Sequence, residues 1–223
     1  AVAAEESGFD SGWVTDHLVV PEEHAPVYGS IAEALVSLGF LAGRTRRLRL
    51  GVSALIVPAR NPLVALKQLT TLDFLSGGRV VTAVAAGWME GEFETLGAPF
   101  AGRGRLLDEW LDLAAAAFEG MPGRVRYEGE LLSLDGWLAP PLVRRPELWV
   151  AGVSRATLLR ARSRVDDALD VFAVHGVGGM FGALATGVFA SSAVQAAYSG
   201  LLDGNPQQLV TQFVAVVATV AYA

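Results

Sequence analysis

Residues 61–87 read NPLVALKQLTTLDFLSGGRVVTAVAAG, and the reading of this stretch decides the fold. Asn61 is a helix-capping residue type, and Pro62 falls at the first helical position, where its missing N–H costs nothing. A helical run follows, and after it the β-branched run 79–87. A helix leading straight into an apolar strand is half of a β/α repeat, the building unit of a parallel sheet. The alternation continues on both sides. Candidate strands are SGWVTDH (11–17), RLRLGVSAL (47–55), RVVTAVAAG (79–87) and ELWVAGV (147–153), with IAEALVSLGFLAG (31–43) helical between the first two. In RLLDEWLDLAAAAFEG the apolar residues Leu107, Trp110, Leu111, Ala114 and Phe118 recur at helical spacing, which predicts one oily stripe facing a sheet or another helix. Gly120 and Pro122 end that helix.

Composition narrows the classes of function. The 223 residues are 52% hydrophobic, ample for a buried core. A net charge of −6 leaves no basic stripe to hold a phosphate backbone, so nucleic acid is not an expected partner. The absence of cysteine removes disulfides and thiolate metal sites, fits a reducing compartment, and goes with no expected metal centre. AVAAEESGFD has neither an initiator Met nor a signal-peptide pattern; it reads as a helix entered part-way along, and the chain as a fragment. Charge is distributed unevenly. Of 40 charged side chains, 39 lie at or before Asp170, and the 53 residues beyond it hold only Asp203.

In parallel β/α folds, function collects where strands end. The first candidate strand delivers Asp16 and His17 there, the second Ser53 and Ala54, the third Gly87, Trp88 and Glu92, the fourth Gly152 and Ser154. Glycines at strand ends let backbone N–H groups approach a phosphate, and an Asp–His pair sets an acceptor beside the one side chain that titrates near neutrality. Each signal alone has a plain structural explanation, an Asp as a cap or a His as a packed polar group. Four on one rim favour a site.

These residues carry a resemblance. AEESGFDSGWVTDHLVVPE, the block from NPLVALKQLTT through GWMEGEFETLGAPFAGRGRLLDEW, and PELWVAGVSRATLLRARSR resemble the bacterial luciferase-like monooxygenase family, especially its deazaflavin-dependent oxidoreductases, over residues 1–165. The resemblance implies a TIM-type (β/α)8 barrel, here a partial one of about four parallel strands. It also implies a coenzyme F420 (deazaflavin) or FMN cofactor across the strand C-terminal ends, a small organic substrate, and a cytoplasmic location for this part. Position by position, Asp16 resembles the flavin-ring contact and His17 the active-site acid/base. Ser53 and Ala54 fall where the family places a non-proline cis peptide against the flavin. Gly87 and Trp88 resemble the loop beside the ring, and Gly152, Val153 and Ser154 the turn approaching the phosphate. Ala83, Ala85 and Ala151 stand where relatives often carry glycine. Four strands without the rest of a barrel leave open edges, and such edges pair with other chains, so a homo-oligomer is an expected partner state.

The tail, residues 166–223, reads differently. The 20 residues 171–190 carry no formal charge, a length that matches the roughly 30 Å hydrocarbon core of a bilayer. Five glycines between Gly176 and Gly187 disfavour an aqueous helix by about 0.8–1 kcal/mol each, whereas membrane helices use small residues to pack closely. His175, Gly179, Gly182 and Thr186 share one face, with Val177, Phe181, Leu184 and Val188 opposite. A second apolar run begins at Leu209 after a loop containing Asp203, Gly204, Asn205 and Pro206. DDALDVFAVHGVGGMFGALATGVFA and GLLDGNPQQLVTQFVAVVATVAYA resemble the ammonium transporters of the Amt/Mep/Rh type. That resemblance implies transmembrane helices that contact membrane or partner helices, and it makes His175 the second of two pore-lining histidines; packing between helices is the plainer role for His175. Expected domains are therefore 1–165 and 166–223, joined within SRVDDALD with no visible linker, as a chimera or a spliced reading frame would be.

Overall fold

The computed structural model describes residues 1–152, 154–164, 184, 188–189 and 199–222, which fall in two compact units, Ala1–Gly152 and Val153–Ala223. In the first unit, strands β1 (Ser11–Val14), β2 (Arg49–Ile56) and β3 (Val80–Ala85) are followed by β4 (Gly123–Glu128), β5 (Ser133–Leu138) and β6 (Glu147–Val150). Its helices are α1 (Val2–Glu6), α2 (Ala25–Tyr28), α3 (Ala34–Arg44), α4 (Pro62–Ser76), α5 (Glu90–Leu96) and α6 (Arg103–Gly120). The four anticipated strands form one parallel sheet in the order β1-β2-β3-β6. The antiparallel hairpin of β4 and β5 was not anticipated.

Sequence dictates these elements locally. Asn61 Oδ1 accepts the Leu63 and Val64 N–H groups at 3.0 and 3.1 Å, so α4 starts where the Asn-Pro pair predicts. The stripe of Leu107, Trp110, Leu111, Ala114 and Phe118 is buried along α6, and the Trp110 indole donates to Pro62 O at 2.9 Å. Leu50, Val52, Val80 and Val84 are buried on the face of the sheet that meets α3 and α4. At the N-terminal end of the strands Arg79 donates to the carbonyls of Ala42, Thr45, Leu48 and Ser76, tying α3, α4 and β2 together.

The opposite face is concave. Trp13, Gly51, Val81 and Glu147 lie in one register row across the four strands, and Ser53, Ala83 and Trp149 in a second. In a flat sheet the outer strands β1 and β6 would stand about 14 Å apart, yet the rings of Trp13 and Trp149 meet at 5.1 Å between centroids. Curvature brings them together, as in part of a barrel wall. Gly51 permits it, because a Cβ there would overlap the Trp13 indole. Arg49 and Glu147 form an ion pair on the same face.

The second unit contains α7 (Arg155–Arg164), a short 3-10 turn at Leu201–Asp203 and α8 (Pro206–Tyr222). Among the described residues no helix is long and apolar enough to cross a membrane. The 17 residues of α8 rise about 25 Å, short of the roughly 30 Å of a bilayer core. Leu184, Val188 and Phe189 are helical; the rest of the anticipated span 171–190, with His175, lies outside the described residues, as does Val153.

Candidate active site

The C-terminal ends of the sheet strands bring together seven of the residues singled out by sequence. Asp16 and His17 follow β1, Ser53 and Ala54 lie in the last half of β2, Gly87 and Trp88 follow β3, and Gly152 follows β6. The Ser53–Ala54 peptide is cis, and the β2–β3 register shifts between Ser53 and Leu55. Ser53 is exposed on the concave side. Ser154 belongs to the second unit, where its hydroxyl accepts the Thr157 N–H at 3.2 Å at the start of α7.

Asp16 is buried at 3% exposure, and both of its oxygens are used. Oδ2 accepts the Ile56 N–H at 2.8 Å, and Oδ1 pairs with Arg60 Nη2 at 2.8 Å. The carboxylate thus ties the end of β1 to the end of β2 and to the loop that leads into α4. Arg60 Nη1 is buried without a hydrogen-bond partner among the described residues, the condition of a donor that a polar ligand or water satisfies.

His17 is buried at 8% exposure and held from one side by Glu92 of α5, which is fully buried. Glu92 Oε2 lies 2.8 Å from His17 Nδ1. The other oxygen, Oε1, accepts the Leu18 N–H at 2.6 Å and the Val19 N–H at 3.4 Å. A single buried carboxylate therefore fixes both the ring and the backbone that carries it. Aromatic groups complete the surround: Tyr28 packs at 5.0 Å from the His17 ring and Trp88 at 6.2 Å edge-on, and Trp88 also meets His24 at 5.1 Å and Tyr28 at 6.0 Å. Trp88 remains 54% exposed despite these three ring contacts.

The turn carrying Trp88 is rigidly built. Gly87 has φ +85°, and a Cβ there would press on Phe93 and Ile56, so both conformation and space require glycine. Its carbonyl accepts Arg103 Nε at 2.9 Å, and the Arg103 guanidinium lies 3.6 Å over the Phe100 ring. Sequence placed Glu92 on the rim without giving it a partner, and it passed over Tyr28, Arg60 and Arg103. Strand-end position signalled Glu92; nothing local signalled the others.

Residues 1–171 match the model of the luciferase-like monooxygenase family, and residues 148–223 that of the ammonium transporter family. The chain is 34% identical over 185 residues to a phthiodiolone/phenolphthiodiolone dimycocerosates ketoreductase of Mycobacterium kansasii, covering 75% of this chain and 50% of that protein. Toward its end it is 48% identical over 64 residues to the ammonium transporter Amt1 of Archaeoglobus fulgidus, covering 29% of this chain and 16% of that one. An F420-dependent secondary alcohol dehydrogenase, solved with an F420–acetone adduct, superposes with a TM-score of 0.64 at 23% identity, over 74% of this chain and 50% of that structure. The chain thus spans half or less of the length of these relatives. Parallel sheet and family match converge: this chain belongs to the luciferase-like monooxygenase family, and residues 148–223 are similar to the ammonium transporter family.

Proposed function

We propose that the first unit is part of a deazaflavin- or FMN-dependent oxidoreductase that moves hydride or electrons between the cofactor and a small organic substrate. The observation that carries this reading is the buried His17–Glu92 pair on the same rim as Ser53, Ala54, Gly87, Trp88 and Gly152. The residues fit a flavin-type group. Arg60 Nη1 is a buried donor beside Asp16, unmatched among the described residues, Ser53 is exposed on the concave face, and Trp88 offers an exposed aromatic surface. Asp16, Ser53, Ala54, Gly87, Trp88 and Gly152 would hold the cofactor; for Val153 and Ser154 that role rests on the family resemblance alone. The cofactor, when bound, supplies the redox chemistry. His17 holds or releases the proton that accompanies it, and the aromatic wall keeps water from that proton. Titration of the chain with F420 and with FMN, followed by quenching of tryptophan fluorescence, is expected to give saturable binding of one of them. Failure of both to saturate overturns the reading.

A second reading rests on the 48% identity to Amt1. In it, residues 166–223 are a portion of an ammonium transporter, membrane-associated, with His175 at a pore position and the soluble part incidental. Uptake of methylammonium into vesicles carrying the full chain tests it; uptake equal to that of empty vesicles removes it.

A further inference from the structure

We propose that Glu92 is the positioning residue that sets the tautomer of His17: it keeps the proton on Nδ1 and leaves Nε2 as the acceptor. Only the functional consequence rests on the acid/base reading of His17; the tautomer itself follows from the hydrogen bonds. Oε1 of Glu92 receives two backbone N–H groups, from Leu18 and Val19, so it acts as an acceptor. Oε2 faces Nδ1 at 2.8 Å, and an ionised carboxylate has nothing to donate. The hydrogen in that bond therefore comes from the ring. Tyr28 and Trp88 meet the ring as aromatic neighbours at 5.0 and 6.2 Å between centroids, and among the described residues the hydrogen bond at Nδ1 is the one to Glu92. A neutral His17 then offers its one lone pair at Nε2, the state a general base requires.

The same geometry dictates an unusual response to a nearly isosteric change. In Glu92→Gln the side chain has one oxygen and one NH2. The two backbone donors of Leu18 and Val19 hold the oxygen, since an NH2 there would set donors against donors. The NH2 is thereby turned onto Nδ1, which must become an acceptor. His17 takes the opposite tautomer, with its proton on Nε2, in an otherwise unchanged site. A role for Glu92 confined to anchoring the loop would leave the tautomer unmoved.

The test is long-range proton–nitrogen NMR of the labelled full chain at a pH where the ring is neutral, with the His17 signals assigned by their loss in His17→Gln. The wild type is expected to show a pyrrole-type Nδ1 and a pyridine-type Nε2, and Glu92→Gln the reverse. A wild type with the proton on Nε2 overturns the proposal, and so does a folded Glu92→Gln protein that retains the proton on Nδ1. Should Glu92→Gln not fold, the wild-type spectrum alone decides. With F420 or FMN added, Glu92→Gln is further expected to keep the cofactor affinity of the wild type, since the exchange moves a proton on His17 and leaves the rest of the rim in place. Absence of any cofactor binding would sink the oxidoreductase reading and leave the tautomer result standing.

Discussion

Two carboxylates show how burial decides the sign of a pH effect. Glu5 accepts the N–H groups of Arg46, Arg47 and Leu48, and these bonds to its charged form pull its pKa from 4.5 to about 2. Asp73 also accepts backbone N–H groups, Val143 at 3.0 Å and Arg144 at 3.4 Å, but it is buried, with Oδ1 unpaired among the described residues, and loss of hydration raises its pKa above 3.8. A depressed folded pKa gives stability that is present above the unfolded value and lost as pH falls through the folded one; a raised value does the reverse. Thermal melts are therefore expected to show Glu5→Gln less stable than wild type above pH 4.5, with the gap closing as the pH falls toward about 2. Asp73→Asn is expected to lose none of the stability that wild type sheds as Asp73 ionises. A Glu5→Gln gap that persists unchanged to the acid end would contradict the assignment.

At the level of elements, the Trp13–Trp149 contact across β1 and β6 depends on Gly51 between them. Gly51→Ala is expected to displace the Trp13 ring and remove the near-UV dichroism of the paired indoles while far-UV dichroism persists; unchanged near-UV bands would refute this. The parallel strands were legible because each is an apolar, β-branched run between helical patterns. The β4–β5 hairpin was not: GRVRYE alternates Arg124, Arg126 and Glu128 with Val125 and Tyr127, but the run is short and Val125 is its one buried residue. For the site, strand ends disclosed Asp16, His17, Ser53, Gly87 and Trp88. Strand ends disclosed Glu92 as well, but its pairing with His17, and that of Arg60 with Asp16, stayed hidden because the partners are 75 and 44 residues apart, and no local pattern encodes such a meeting.

For the molecule as a whole, the contrast between a charged α/β unit and a tail nearly free of charge governs behaviour in solution. Val210, Phe213, Val214 and Val217 are exposed on α8, and Leu202 beside it. A detergent partition experiment is expected to place the full chain in the detergent phase and to shift a chain ending at Arg164 toward the aqueous phase; equal partition of the two would contradict it. The bond from His17 to Glu92 spans 75 residues, which has a consequence in time. At a synthesis rate of 5–20 residues per second, His17 leaves the peptidyl transferase centre roughly 4–15 s before its partner is made. Through that interval β2 and β3 are themselves still being made, and a nascent chain stalled before Glu92 would have to lodge His17 elsewhere.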